Sequence, residues 1–306
     1  MIRLWKSPVS TGLADSDRPA EQGAWKADHD DREHWSRLPA EPWTRVVTGH
    51  SPATLAVPAK RLLVSGHRGD CIRAPEQTMA AFVDAVRAGA DAIEMDVQWT
   101  SDQRMVLIHD DTVDRTTSST GRVTEMTYTE IRACDAGSWF LPQFRGAQVP
   151  AFEEVLAFAA QHRRLLINAE IKNANLTPAQ ARAYLDAVRA AGVDHRTIAS
   201  SFYPSSLATF RAADPERRIP SGLIASQKIH TVEEIQASGS SYYMPRWWKL
   251  TSERAQEVKA AGIQLWLWPA ITEDDFESVC AFEPDAVVVD SVSDFRRWYA
   301  ARHPSA

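Results

Sequence analysis

The stretch 91-DAIEMDVQWT-100 alternates apolar and polar residues with the two-residue period of a β-strand. Ile93, Met95 and Val97 share one face, and Glu94, Asp96 and Gln98 share the other. An apolar face can pack on helices, which leaves the acids pointing into the interior of a barrel. Two carboxylates two strand positions apart lie about 6.6 Å from each other. At an effective dielectric of 20 their repulsion is roughly 2.5 kcal/mol, so the fold must bring something to offset it.

From Arg61 onward, short β-rich runs alternate with helical stretches. Strands are expected at 61–66, 91–98, 165–171, 197–202, 219–224, 240–244, 263–268 and 286–290. Helices are expected at 75–88, 152–162, 178–191, 204–212, 231–237, 251–261 and 272–281. Pro75 and Pro178 sit where a first helical turn accepts proline, and Gly89, Gly192 and Gly262 fall just past helix ends. Eight strand–helix units predict an α/β fold, a closed (β/α)8 TIM barrel, with its chemistry at the C-terminal ends of the strands.

The third strand, within 165-LLINAEIK-172, repeats the device of the second. Ile167, Ala169 and Ile171 form its apolar face, while Asn168, Glu170 and Lys172 face the interior. Glu94, Asp96 and Glu170 together make an all-oxygen cage suited to Mg2+ or Ca2+; for each acid taken singly, a structural salt bridge with Lys172 or Arg68 is the alternative. After the second strand, "SDQR" reads as a turn and "MVLIHDD" as a returning strand. A hairpin centred between Asp102 and Gln103 sets His109 opposite Asp96. His67, in 65-SGHRGD-70, ends the first strand. The two histidines read as an acid–base pair, since an ordinary imidazole titrates near neutrality. Arg68 and Lys172 supply positive charge for a tetrahedral anion such as phosphate.

Composition narrows the class. The chain has 306 residues, 44% hydrophobic and 24% charged, with a net charge of −6. That charge disfavours a nucleic-acid partner and broad attraction to anionic membranes. No stretch has the length of a signal-peptide core or a membrane span, and three separated cysteines, Cys71, Cys134 and Cys280, do not make a disulfide framework. A reducing cytoplasm is the expected location. Residues 1–58 are polar and proline-containing yet hold Trp5, Trp25, Trp35 and Trp43. They are expected to form an irregular arm packed on the main domain, 59–306, or on a second subunit, as in a homo-oligomer. Its "DHDDREH" run reads as a solvated charge run rather than a metal site.

An ordered series of motifs resembles the glycerophosphodiester phosphodiesterases: "SGHRGD", "APEQT", "AIEMDVQWTSD", "VLIHDDTVDRTTSSTG", "DAGSWF", "VPAFEEVL", "INAEIK", "ASSF", "QLWLW" and "AVVVD", spanning roughly 62–298. The resemblance implies that His67 and His109 are the acid–base pair and that Glu94, Asp96 and Glu170 hold a divalent ion. It implies that Arg68 and Lys172 contact phosphate, that Glu76 orients groups at the edge of the site, and that residues 111–149 are a small insertion over the barrel mouth. Trp266 matches a tryptophan that walls the alcohol pocket, with simple core packing as the alternative. Gln77 stands where the family usually has Asn, "WLWP" replaces "WTVN", and Val289-Asp290 replaces a usual "TD".

The expected function is a metal-dependent phosphodiesterase that hydrolyses a small-molecule glycerophosphodiester to an alcohol and glycerol 3-phosphate. A related diesterase acting on lysophospholipid or sugar phosphodiesters, and a non-catalytic phosphoester-binding barrel, are the alternatives.

Overall fold

The computed structural model describes residues 61–303; the tryptophan-bearing arm expected at 1–58 lies outside the described residues. Strands β1 (Leu63–Gly66), β2 (Ala92–Trp99), β4 (Leu166–Ile171), β5 (Thr197–Ser201), β6 (Ser221–Ala225), β7 (Tyr242–Pro245), β8 (Gln264–Ala270) and β9 (Ala286–Val289) are parallel neighbours, and pairing of β1 with β9 and β2 closes them into a barrel. The short β3 (Met105–Leu107) runs antiparallel on β2. Helices α1 (Met79–Arg87) and α3 (Phe152–Gln161) follow β1 and the β2–β3 hairpin, with the short α2 (Tyr128–Arg132) between them. Helices α4 (Pro178–Ala190), α5 (Pro204–Ala213), α6 (Val232–Ser238), α7 (Ser252–Ala260), α8 (Glu273–Cys280) and α9 (Val292–Arg302) complete the outer ring.

The side-chain alternation of the strands divides the core in two. Ile93, Met95, Val97, Ile167, Ala169 and Ile171 pack outward in the strand–helix layer with residues such as Phe82, Phe152 and Tyr184. Inside the barrel, Leu63, Ile198, Ile224, Tyr242, Met244, Trp266, Trp268 and Val288 form a separate apolar cluster. That filled interior leaves the C-terminal mouth as the place for polar chemistry. Residues 106–149 carry a third cluster, including Val106, Ile108, Val113, Val123, Ile131 and Val149, so this segment packs as a unit of its own beside the hairpin.

Three expectations need correction. Helix α1 begins at Met79 rather than at residue 75, because Thr78 is its N-cap and Pro75 belongs to the preceding loop. That loop folds back on β1: Gln77 N donates to Arg68 O at 3.0 Å, and Arg68 and Gln77 have φ of 55° and 58°. The eighth helix, α9, was missing from the expected helices although Ser291 caps it by accepting from Asp294 N. The β2–β3 hairpin is closed by a three-residue loop, not a two-residue turn. Thr100 N donates to Arg104 O at 2.9 Å and Gln103, the last loop residue, is left-handed at φ 61°. The register therefore places Ile108, not His109, opposite Asp96, with Ile108 N donating to Asp96 O at 3.1 Å. Among the described residues, no helix is long and apolar enough to cross a membrane, and all three cysteines are free.

Candidate active site

The barrel ends of β1, β2 and β4 converge on three buried acids. Oxygen atoms of Glu94, Asp96 and Glu170 all lie within 4.8 Å of one another, with the residues 6%, 1% and 5% exposed. The parallel register puts Asp96 directly beside Glu170. Lys172 Nζ bridges them, 3.4 Å from Asp96 Oδ1 and 3.3 Å from Glu170 Oε1. Arg68 contributes its backbone N–H to Glu94 Oε2 at 2.9 Å, and its Nε lies 3.7 Å from Asp96 Oδ2. These two cations offset part of the repulsion inherent in the strand pattern.

Burial pushes the Glu94 carboxyl up, and the neighbouring Asp96 charge pushes it further. Burial does the same at Glu170 and outweighs Lys172. At Asp96 burial is overcome by Lys172, His109, Arg68 and His67, which together hold the carboxyl well below the usual range. Three acids against two touching cations leave a surplus of negative charge in a desolvated place. Gln77 Oε1 is buried without a hydrogen bond, and Glu170 Oε1 is left to its ion pair with Lys172. A hard divalent cation fits this set, because it accepts oxygen donors and relieves the surplus charge.

Around the acids, the 66–78 loop sets His67 and Arg68. A Cβ at Gly69 would lie 2.5 Å from the Ala81 backbone carbon, and its φ is +87°, so only glycine allows the loop to pack on α1. Asp70 plays a structural part, accepting from the first N–H of α9, Val292 N, at 3.2 Å. Gln77 Nε2 donates to Asp96 Oδ2 at 2.7 Å, so this residue acts directly on the acid cluster. Left-handed non-glycine residues store strain, and here both of those in the loop, Arg68 and Gln77, touch Asp96.

Each histidine is held by a carboxylate that sequence reasoning did not single out. His67 Nδ1 is 2.7 Å from Asp290 Oδ1, and His109 Nδ1 is 2.7 Å from Asp110 Oδ1. The Nε2 atom of each ring is thereby left for other work. At His67, burial and Arg68 favour the neutral ring, yet Asp290 and Glu94 outweigh them and its pKa rises. At His109, burial leads, Arg68 and Lys172 add to it, and the pKa falls despite Asp96 and Asp110. Arg115 joins the two sides. It donates to Glu76 from Nη1 and Nη2 at 2.8 Å each and to Asp110 from Nε at 2.6 Å. Arg68 Nη1 meets the same Glu76 at 3.0 Å. Against its burial, Arg68 and Arg115 hold the Glu76 carboxyl down at about 2. Gln98 fixes the backbone beside His109, donating to Ile108 O at 2.9 Å and Asp110 O at 2.6 Å.

His109, Asp110, Glu170, Lys172, Phe202 and Tyr203 line an open cleft of about 330 Å³. Trp266 is not on it. It is 1% exposed and stacks edge-on with Tyr242 at 5.8 Å inside the barrel, so its expected place as a wall of the alcohol pocket is corrected to core packing. Trp268, one inward-facing step nearer the mouth, lies 6.4 Å from the His67 ring and 5.7 Å from Phe202.

Comparison with known proteins gives this geometry a family. Residues 67–294 match the family described as "Glycerophosphoryl diester phosphodiesterase family". The chain is 33% identical over 232 residues to a glycerophosphodiester phosphodiesterase of Caldanaerobacter subterraneus subsp. tengcongensis, covering 75% of this chain and 94% of that protein. A Bacillus subtilis glycerophosphodiester phosphodiesterase is 30% identical, with 70% and 78% covered. A phosphodiesterase of Oleispira antarctica, solved with the product sn-glycerol-3-phosphate, superposes with a TM-score of 0.69 at 24% identity, covering 78% of this chain and 96% of that one. The chain belongs to the glycerophosphoryl diester phosphodiesterase family, and is thus a phosphoric diester hydrolase.

Proposed function

We propose that this enzyme hydrolyses glycerophosphodiesters to an alcohol and glycerol 3-phosphate, with a divalent cation, Mg2+ or Ca2+, held by Glu94, Asp96 and Glu170. The observation that carries the reading is the convergence of three buried carboxylates with two carboxylate-anchored histidines at one barrel mouth. Held by these three carboxylates, a divalent cation would supply Lewis-acid stabilisation of the charge that develops in the reaction. Lys172 and Arg68 supply fixed positive charge to the non-bridging phosphate oxygens. Arg68 Nε makes no hydrogen bond beyond its 3.7 Å ion-pair contact with Asp96, so the guanidinium keeps donor capacity for an anion. Glu76 and Arg115 hold Arg68 and Asp110 in place rather than touching substrate.

The opposite pKa directions of the histidines support a division of labour. His67, favoured in its charged form, protonates the leaving alkoxide from Nε2. His109, favoured in its neutral form, takes the proton of the attacking hydroxyl or water at Nε2. Asp290 and Asp110 fix the Nδ1 tautomer and ring orientation of each. The product complex of the Oleispira antarctica protein supports glycerol 3-phosphate as the product here.

A second reading keeps the chemistry and changes the groups that the phosphodiester carries. Tyr203, on the cleft, is 41% exposed, and Trp248, just past the C-terminal end of β7, is 39% exposed. Such apolar surface at a mouth favours a lysophospholipid headgroup bond over a small free diester. One assay tests both readings: release of the alcohol and of the matching phosphomonoester (glycerol 3-phosphate from glycerophosphocholine and glycerophosphoethanolamine, lysophosphatidate from lysophosphatidylcholine, the monoester from a sugar phosphodiester), with chelator and after adding Mg2+ or Ca2+ back. Glycerol 3-phosphate released only with the cation supports the first reading. Preference for the lysolipid supports the second, and no product from any substrate rejects both.

A further inference from the structure

We propose that His67, Cys71 and Asp290 form a second, softer cation site that takes Zn2+ and silences the enzyme by withdrawing His67. One donor atom from each of the three lies within 4.8 Å of the other two. The tight turn at Gly69 is what returns Cys71 to the side of His67. Cys71 Sγ is 3.6 Å from Asp290 O, and His67 Nδ1 is 2.7 Å from Asp290 Oδ1. The His67 and Asp290 side chains are 15% and 16% exposed, so an ion can reach them from the mouth. Arg68, the neighbouring fixed cation, has its guanidinium drawn toward Glu76 at 3.0 Å.

The donor sets separate the two sites chemically. Glu94, Asp96 and Glu170 offer oxygen alone, which suits Mg2+ or Ca2+. Imidazole, thiolate and carboxylate together suit Zn2+, with a water in the fourth position. Bonds of about 2.0–2.3 Å to a tetrahedral ion place its donors farther apart than the 2.7 Å of the present His67–Asp290 contact. That pair must open slightly as the ion enters. Binding displaces the Cys71 thiol proton and the proton between His67 Nδ1 and Asp290, and both pass to solvent. A zinc-bound imidazole no longer cycles between charged and neutral forms. The silencing rests on the role given to His67 above; the binding does not.

The test uses the full chain and its Cys71→Ser and Cys71→Ala variants, titrated with Cd2+ and Zn2+ at saturating Mg2+. The proposal expects an ultraviolet thiolate-to-Cd2+ charge-transfer band in the parent that is absent from both variants. It expects both variants to turn over substrate as the parent does, while Zn2+ inhibits them more than about tenfold more weakly, the scale of losing a metal-site group. A band that persists in both variants overturns it. So does Zn2+ inhibition that is unchanged in the variants and relieved by excess Mg2+, which would put the zinc in the carboxylate cage. A band lost in the variants of a protein with no phosphodiesterase activity would keep the site and reject the functional reading.

Discussion

The two halves of the barrel interior are built by one strand geometry and filled with opposite chemistry. On the β1, β2 and β4 side, inward positions are Glu94, Asp96, Asn168 and Glu170, met by Lys172 and Arg68. On the β7 and β8 side, they are Tyr242, Met244, Trp266 and Trp268. The aromatic half is closed against water and supplies stability. The acidic half is costly to bury and makes sense as a binding site. Inward direction alone therefore does not mark a functional residue; the energetic cost of what is pointed inward does.

The largest expected effect comes from breaking the acidic half's partners. His67→Ala and His109→Ala should each lower turnover by about 10²–10⁴-fold while the barrel stays folded. The parent should show a bell-shaped pH–rate profile. Its acidic limb belongs to His109, which must lose a proton to act, and its alkaline limb to His67, which must keep one. Steady-state kinetics across pH check this, and near-parental rates in either variant would remove that residue from the mechanism.

The aromatic half predicts a different failure. Trp266→Ala should lower unfolding stability by about 3–5 kcal/mol, read by denaturant titration, while KM in the folded protein changes little. Trp268→Ala, beside His67, should raise KM instead. A Trp266 variant with parental stability and an altered alcohol preference would return that residue to the pocket.

A smaller effect is expected at Asp70, which lies between site and scaffold. Burial raises its carboxyl to about 7, against Arg73 and the backbone N–H groups of Ser293 and Val292. A carboxyl whose folded pKa lies above its unfolded one stabilises the fold fully below the unfolded value, about 3.9, and that contribution is lost as pH rises through about 7. Asp70→Asn removes this dependence, so its thermal midpoint should gain on the parent's between pH 5 and 8. A parallel pair of curves would refute the assignment.

Much of the acidic half was legible because alternation is local. The residues of 91–98 and 165–172 announce their faces without help from the rest of the chain, and the three acids converge as their pattern implied. The aromatic half was less legible. Trp266 and Trp268 share one face, and their depth in the barrel depends on closure. The hairpin register was misplaced by one residue, since Gln103 takes a left-handed φ that no glycine or asparagine announces. Asp290 was hidden by distance: it meets His67 across 223 residues of chain, through the β1–β9 pairing that closes the barrel. Asp110 and Arg115 were adjacent to His109 in sequence, but nothing in "HDDTVDR" says that Arg115 turns back to Glu76.

The central claim is that the acidic half is a divalent-cation cage that the chemistry requires. Electron paramagnetic resonance of Mn2+ titrated into chelator-treated protein, with turnover measured on the same samples, tests it most directly. The account predicts bound Mn2+ rising in step with recovered activity, and loss of both in Glu94→Gln and Glu170→Gln variants that still melt cooperatively. Full turnover by chelator-treated protein with no bound ion would contradict it.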